Sequence, residues 1–275
     1  VTAGQATLLG LIQGLTEFIP VSSTAHLRIL PAFLNWSDPG AAYSAVIQLG
    51  TLVALVIYFW KDLLQFGGAA LRGLFSGKPF ADDAARMAWY LVLGTIPVSI
   101  CGLVFARFIV GPFRSLYVIA GSLIVLALVL WITEFYARRT RIDHDITWKD
   151  ALWIGMAQAL ALIPGASRAG VTLTMGLVLG FTREAAMRFS FLLSIPAIGL
   201  SGVYELYQEW DHLSAAGLGG LGIGLVVSAL TGYVTIAGLL RFLRTHTTLV
   251  FILYRIALGT LILILLGSGL LKPMG

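Results

Sequence analysis

Long apolar segments separated by short polar connections fill most of this chain. Six of the segments are about 20 residues long, the length that a helix needs to cross roughly 30 Å of hydrocarbon. The alternating apolar and polar positions of a membrane β-barrel do not occur. The pattern predicts an all-α polytopic membrane protein whose six transmembrane helices lie at about 43–60, 87–108, 115–136, 185–204, 217–240 and 249–270.

Two further apolar segments are too short to cross, because 15 helical residues reach only about 22 Å. Each is followed by a proline and then by a second short segment; the pairs are 5–19 with about 24–34, broken at Pro20, and 150–163 with about 171–181, broken at Pro164. Irregular backbone at membrane depth is tolerated only where it is buried in protein or lines a wet cavity. We therefore expect two re-entrant helical hairpins whose breaks face a cavity.

The two halves of the chain resemble each other. The stretch 20–25, Pro-Val-Ser-Ser-Thr-Ala, corresponds to 164–169, Pro-Gly-Ala-Ser-Arg-Ala, at an offset of 144 residues. Each half has a broken hairpin followed by three crossings, so the halves must have opposite orientations in the membrane. The prediction is a single membrane domain, 1–275, built from an inverted-topology repeat at about 1–136 and about 150–270. In transporters such a repeat places the site at the midplane, between the paired broken helices.

The composition supports the membrane assignment and narrows the function. Hydrophobic residues make up 58% of the chain and charged residues 11%, whereas soluble domains have about 25% charged residues. A net charge of +5 can indicate nucleic-acid binding, but here the basic residues are scattered through short connections and no aromatic-bearing basic face forms, so we expect no nucleic acid partner. The lone Cys101 has no partner for a disulfide or a cysteine metal cluster and is interpreted as a packing residue.

Lysine and arginine are divided unequally between the two sets of connections. Cytoplasmic connections of membrane proteins are enriched in these residues. One set holds Arg107, Arg114 and Lys272, and the other holds Lys61, Arg72, Lys78, Arg86, Arg138, Arg139, Arg141, Lys149, Arg183, Arg188, Arg241 and Arg244. The richer set is therefore predicted to be cytoplasmic. Both termini, the mouth of the first hairpin and the acidic connection with Glu205, Glu209 and Asp211 are then extracytoplasmic.

The first break carries the densest group of polar side chains. Gln13 and Glu17 are spaced i,i+4, which places them on one face of the first short helix. Buried acids in membranes are usually functional, so Glu17 is a candidate general base or metal ligand. The alternative is a pair of polar residues at the level of the lipid headgroups.

Three hydroxyl residues, Ser22, Ser23 and Thr24, follow Pro20 where a second helix should begin. N-capping accounts for one or two of them. The same helix start offers backbone N–H groups and a positive dipole end to an anion such as phosphate. Ser23 becomes a nucleophile only with a base in reach, and His26 on the adjacent turn could accept its proton. Amphipathic packing is the alternative role for His26.

The second break, 164–168, supplies a cation. Its glycine permits close approach of the backbone to a ligand, and the planar guanidinium of Arg168 matches phosphate oxygens. The alternative for Arg168 is a salt bridge to Glu17 that only joins the hairpins. Arg255, in the last crossing, is interpreted as a second phosphate contact or as a side chain that snorkels to the interface.

Two further polar residues, Gln48 and Ser194, occupy matched places in the repeat. Polar side chains inside membranes commonly bond across helices. We expect interhelical hydrogen bonds from both residues.

Together, Gln13-x-x-x-Glu17, the stretch from Pro20 to His26 and the stretch from Pro164 to Thr172 resemble the two signature motifs of the undecaprenyl-pyrophosphate phosphatases, the bacitracin-resistance membrane family. The resemblance covers nearly the whole chain. It implies an enzyme of the bacterial inner membrane whose site faces the extracytoplasmic side. Such an enzyme removes the terminal phosphate of undecaprenyl pyrophosphate and so regenerates the lipid carrier for cell-wall synthesis.

Carried over residue by residue, the resemblance implies a catalytic group and a substrate-binding group. The catalytic group is Glu17, Ser23, His26 and Arg168, and the substrate-binding group is Gln13, Ser22, Thr24, Ser167, Thr172 and Arg255. Gln13 stands where the family often has glutamate, which argues against a two-carboxylate metal site, and Ala169 stands where many members have serine. A divalent cation such as Mg²⁺, with Glu17 as the one candidate ligand, would assist by neutralising the diphosphate. No organic cofactor is expected.

The expected mechanism is phosphoryl transfer in which Arg168 and the hairpin N-termini hold the diphosphate. Ser23, activated by His26 or Glu17, attacks the terminal phosphorus, or water activated by Glu17 attacks directly. The partners are a polyprenyl diphosphate and bilayer lipid, and a homodimer is left open. Two other functions use the same pattern: a lipid-phosphate flippase or anion transporter, and a non-catalytic lipid-binding scaffold.

Overall fold

In the computed structural model of the chain, the described residues are 1–34, 36–37, 40–105, 113, 115–208, 218–271 and 273. Some residues used above lie outside them. They are Arg107, Arg114, Glu209, Asp211 and Lys272, together with the ends of the predicted crossings at 106–108 and 217.

The described part of the chain folds into α-helices and contains no β-strand. The helices are α1 (Ala3–Thr16), α2 (Ser23–Phe33), α3 (Gly40–Tyr58), α4 (Trp60–Phe75), α5 (Asp83–Val104), α6 (Leu116–Tyr136), α7 (Trp148–Ala159), α8 (Arg168–Val178), α9 (Arg183–Gln208), α10 (Leu218–Thr245) and α11 (Leu249–Gly267). Five of them, α5, α6, α9, α10 and α11, are long and apolar enough to cross a membrane, and α3 with α4 would make a sixth span. The predicted all-helical membrane class is confirmed.

The crossing predicted at 43–60 ends in a sharp bend. α3 stops at Tyr58, and α4 leaves it at an angle of 76°. Large apolar side chains such as Leu64, Leu71 and Phe75 are exposed along α4. A helix with an apolar stripe and charged residues suits the membrane interface. Sequence analysis missed it because it treated the charged residues after 60 as a connection.

The two hairpins break in the same way. Ser22 precedes α2 with φ of 74°, and Ser167 precedes α8 with φ of 66°. Positive φ is uncommon for residues other than glycine. Each serine hydroxyl accepts a hydrogen bond from the N–H three residues later, at 3.4 Å from Ala25 and 3.2 Å from Gly170. These caps end the irregular segment and start the second helix of each hairpin.

This shared geometry corrects the alignment of the two halves. Ser22 is equivalent to Ser167, which gives an offset of 145 residues and not 144. The motif alignment was wrong by one position because it matched the two prolines. Ser23 and Arg168 are thus equivalent positions, the first residues of α2 and α8.

Glycines allow the first arm of each hairpin to pack closely on a long helix. A Cβ at Gly10 of α1 would lie 2.7 Å from the carbonyl oxygen of Gly224 on α10. A Cβ at Gly155 of α7 would lie 2.2 Å from the carbonyl oxygen of Gly94 on α5. Gly10 and Gly155 are also 145 residues apart. Each hairpin is therefore held at an equivalent point by a helix that it approaches backbone to backbone.

Arg255 of α11 lies between the two breaks, with none of its surface exposed. Its guanidinium donates to the carbonyl oxygens of Pro20 at 3.5 Å, Ser122 at 3.3 Å, Gly165 at 3.2 Å and Ala166 at 3.0 Å. Snorkelling is thus wrong for Arg255, because its head is buried inside the protein. Its bonded nitrogens face backbone oxygens of both breaks, so it fastens the hairpins to each other and to α6.

Replacing Arg255 should loosen both breaks. In Arg255→Met, carbonyls of both breaks lose a charged donor, and each buried oxygen left without a partner costs about 1–3 kcal/mol. We expect a clear drop in the apparent Tm of the purified protein in detergent. The Tm of Arg255→Lys should lie between those of the wild type and Arg255→Met, because an ammonium group reaches fewer of the four oxygens. The matched control is Arg138→Met, at an exposed arginine; equal melting of Arg255→Met and this control would contradict the role.

Candidate active site

The carboxylate of Glu17 is the centre of the polar cluster. Its Oε2 accepts from Ser23 Oγ at 2.6 Å and from Gln13 Nε2 at 3.0 Å. Its Oε1 accepts from Gln48 Nε2 at 3.2 Å and forms an ion pair with Arg168 Nη2. Only 4% of the Glu17 side chain and 16% of the Arg168 side chain are exposed. The two predicted halves of the site therefore meet at one carboxylate.

Local structure explains how these side chains reach one point. Gln13 and Glu17 lie one turn apart where α1 ends, and Ser23 and Arg168 open α2 and α8. The first N–H groups of an α-helix have no partner within the helix, and they carry the positive end of its dipole. Two helix N-termini and one guanidinium thus converge beside Glu17, an arrangement suited to a polyanion.

Of the two bases predicted for Ser23, the structure places Glu17 at hydrogen-bonding distance and not His26. His26 Nδ1 lies 2.7 Å from the carbonyl oxygen of Ser22, which can only accept, so Nδ1 carries a proton and donates. Nε2 lies 2.6 Å from the hydroxyl of Tyr254, and the two rings stack with centroids 5.6 Å apart. The i+3 spacing correctly placed His26 one turn from Ser23 on the same helix, but it did not predict the hydrogen-bond partners of the imidazole.

Four other predicted substrate-binding residues are Ser22, Thr24, Ser167 and Thr172. Ser22 and Ser167 act as N-caps, so capping is confirmed for Ser22, while Thr24 is exposed. Thr172 is fully buried; its hydroxyl donates to the carbonyl of Arg168 at 2.7 Å. Thr172 therefore supports the first turn of α8 and does not face a ligand.

Two residues that sequence analysis did not place in the site contact it. Gln48 was expected to bond between helices, which is confirmed, but its acceptor is Glu17 itself. Ser194, the other residue expected to bond between helices, donates to the Phe191 carbonyl of its own helix at 2.7 Å, so that expectation was wrong. Tyr254 orients His26. Gln48 and Tyr254 could have been found as polar side chains inside otherwise apolar predicted crossings.

The residues present do not fit a cation held by the protein. Mg²⁺ and Ca²⁺ take several oxygen ligands. Both oxygens of Glu17 already accept two hydrogen bonds each. Among the described residues, no three His, Cys, Asp or Glu side chains are grouped so as to hold a metal.

Comparison with known proteins identifies the family of this chain. A family model described as bacitracin resistance protein BacA matches residues 6–261. Proteins called undecaprenyl-diphosphatase are similar along the whole chain. The one from Myxococcus xanthus is 57% identical over 98% of this chain and 91% of its own length, and the one from Chloroherpeton thalassium is 50% identical over 98% of both. The chain therefore belongs to the BacA family of bacitracin resistance proteins.

Proposed function

We propose that this protein is an undecaprenyl-diphosphatase. It hydrolyses undecaprenyl pyrophosphate to undecaprenyl phosphate and inorganic phosphate, which recycles the lipid carrier for cell-wall synthesis and gives resistance to bacitracin. The observation that carries the proposal is that Ser23 and Arg168, from opposite halves of the chain, donate to the two oxygens of one buried carboxylate. The names of the similar proteins supply the substrate.

Substrate binding is assigned to the two helix N-termini and to Arg168. Of its guanidinium nitrogens, Nη2 alone has a hydrogen-bond partner among the described residues, which leaves its other donors for phosphate oxygens. The backbone N–H groups of Ser23 and Arg168 lie at the starts of α2 and α8. A diphosphate between them would be held by donors from both hairpins. Mg²⁺, where it takes part, would be bound by the diphosphate oxygens.

The chemical step begins with Ser23. Its Oγ attacks the terminal phosphorus, its proton passes to Glu17, and the bond from that phosphorus to the bridging oxygen breaks, so that undecaprenyl phosphate leaves. Water then attacks the phosphorus of the phosphoserine, the bond from that phosphorus to Ser23 Oγ breaks as Glu17 returns its proton to Oγ, and phosphate leaves with the protons of the attacking water. Arg168 offsets the charge that develops on the phosphoryl oxygens. The short contact between Ser23 and Glu17 favours this route over direct attack by water.

The proposal includes a membrane topology. We infer six crossings and two re-entrant hairpins in an inverted repeat, supported by the matched caps at Ser22 and Ser167 and by the matched glycines 145 residues apart. The unequal distribution of lysine and arginine supports a cytoplasmic location for the connections at 76–82 and 137–147. The site then opens toward the extracytoplasmic side of the bacterial inner membrane.

Removing the nucleophile or its base should stop turnover. We expect Glu17→Gln to lower kcat about 10²–10⁴-fold, the usual contribution of a general base, and Ser23→Ala to lower it at least as much. Phosphate release from a long-chain prenyl diphosphate by purified protein measures both. Mass spectrometry after rapid quenching should find phosphate on Ser23 of the wild-type enzyme.

The matched control is Ser201→Ala, since that hydroxyl bonds only within its own helix among the described contacts; it should keep wild-type turnover. Near-normal turnover by Ser23→Ala would contradict the serine route and favour water. Prenyl-phosphate movement across vesicles without any phosphate release would instead favour the flippase alternative.

The pair of His26 and Tyr254 is proposed to exchange protons with substrate or water and not with Ser23. Tyr254→Phe removes one hydrogen bond, worth about 0.5–1.5 kcal/mol, so we expect a loss of about 2- to 10-fold in kcat and a changed pH profile. His26→Ala should lose more. Phosphoserine formation in His26→Ala can be measured in a single turnover. If it stopped, His26 would be the base for Ser23, which would contradict the proposed assignment of that role to Glu17.

Single-cysteine labelling tests the orientation in a Cys101→Ala background. Gly4 is exposed with open space around it, and Thr140 is exposed in the connection after α6. In intact cells or right-side-out vesicles, an impermeant maleimide should label Gly4→Cys and should reach Thr140→Cys only after permeabilisation. The reverse pattern would overturn the orientation.

A further inference from the structure

A cavity lies away from the candidate active site, where the ends of α3 and α10 meet the beginning of α9. Its volume is about 770 Å³. None of its lining residues belongs to the cluster around Glu17. Gln48, which contacts Glu17, lies ten residues before Tyr58, which lines the cavity, and ten helical residues span about 15 Å. The cavity is therefore a separate site at the arginine-rich end of the helix bundle.

One arginine of this cavity has no acidic partner among the described residues. Three arginines and two acids line the cavity. Arg188 pairs with Asp62 and, at 3.2 Å, with Asp143, which lies outside the lining, and Arg244 pairs with Glu184 at 2.7 Å. Arg241 is exposed and forms no ion pair among the described residues. An arginine without a partner beside a concave surface offers planar donors to a phosphate group.

The remaining walls suit a ligand that is also apolar. Tyr58 and Leu240 line the cavity, and the ring of Tyr58 packs edge-on against Tyr233, with centroids 5.6 Å apart. Tyr233 is 44% exposed and its neighbour Val234 is 70% exposed, about one turn of α10 before the lining residue Ala237. In a membrane protein such side chains face hydrocarbon. A ligand with its phosphate in the cavity would lay its chains along this surface.

We propose that this cavity binds the phosphate headgroup of a membrane lipid. The ligand chemistry is a phosphate ester on a hydrophobic chain, which both an anionic glycerophospholipid and a prenyl monophosphate provide. Basic residues near a membrane surface attract such headgroups by about 1 kcal/mol each, which corresponds to about fivefold in affinity. The site does not rest on the proposed hydrolysis, since it shares no residue with that machinery.

Native mass spectrometry of the full-length protein in detergent tests the site. The probes are dioleoyl phosphatidylglycerol, a long-chain prenyl monophosphate and inorganic phosphate, each titrated separately. Arg241→Gln removes the unpaired charge, and Ala237→Trp fills the cavity without changing charge. The matched control is Arg138→Gln, an exposed arginine outside the cavity. Apparent Tm values check that each variant is folded.

We expect the first lipid to bind about fivefold more weakly to Arg241→Gln, and more weakly still to Ala237→Trp, while Arg138→Gln matches wild type. The lipid that shows this loss identifies the source of the headgroup, and loss with both lipids also supports the site. Unchanged lipid binding in folded Arg241→Gln and Ala237→Trp would overturn the proposal. An equal loss in Arg138→Gln, or inorganic phosphate binding as tightly as either lipid, would overturn it too.

Discussion

The site depends on the ion pair and the hydrogen bonds that the buried carboxylate of Glu17 accepts. A charge in a largely apolar protein is costly unless it is paired and hydrogen bonded. Arg168 supplies the opposite charge, and Gln13, Ser23 and Gln48 fill the other acceptor positions. Because these donors come from α2, α3 and α8 as well as α1, solvating one charge requires both hairpins to meet. Burial of the acid and assembly of the site are thus the same event.

Arg255 solves a second problem created by the breaks. A helix broken inside a membrane protein exposes carbonyl oxygens that no intrahelical bond satisfies. Arg255 offers donors to oxygens from both breaks and from α6, and among the described residues it has no carboxylate partner. Backbone dipoles therefore take the place of a counterion. One buried cation stabilises the irregular backbone, and a different arginine, Arg168, pairs with Glu17.

Composition and spacing were sufficient to predict part of the structure. Hydropathy predicted the helical class, the two prolines predicted the interruptions between α1 and α2 and between α7 and α8, and the i,i+4 spacing placed Gln13 and Glu17 on one face. The directions in which side chains point could not be predicted from composition and spacing. Whether His26 turns to Ser23 or to Tyr254, and whether Arg255 meets phosphate or carbonyls, depends on helices far apart in the chain. Helix α4 was not predicted because its polar positions have the composition of a loop.

The equivalence of Ser23 and Arg168 explains why a repeat can build an enzyme. Both residues open a helix after an identical serine cap, so the two halves supply the same scaffold, a helix N-terminus facing the centre. The side chains at equivalent positions of the two halves differ in their chemistry. At the position equivalent to Glu17 the second half has Leu162, and Gln158, equivalent to Gln13, is buried with no hydrogen-bond partner among the described residues. Phosphoryl transfer needs a nucleophile with its base on one side of the phosphorus and a cation on its oxygens. A symmetric pair of hairpins would give two nucleophiles or two cations, so the proposed mechanism requires the divergence at these equivalent positions.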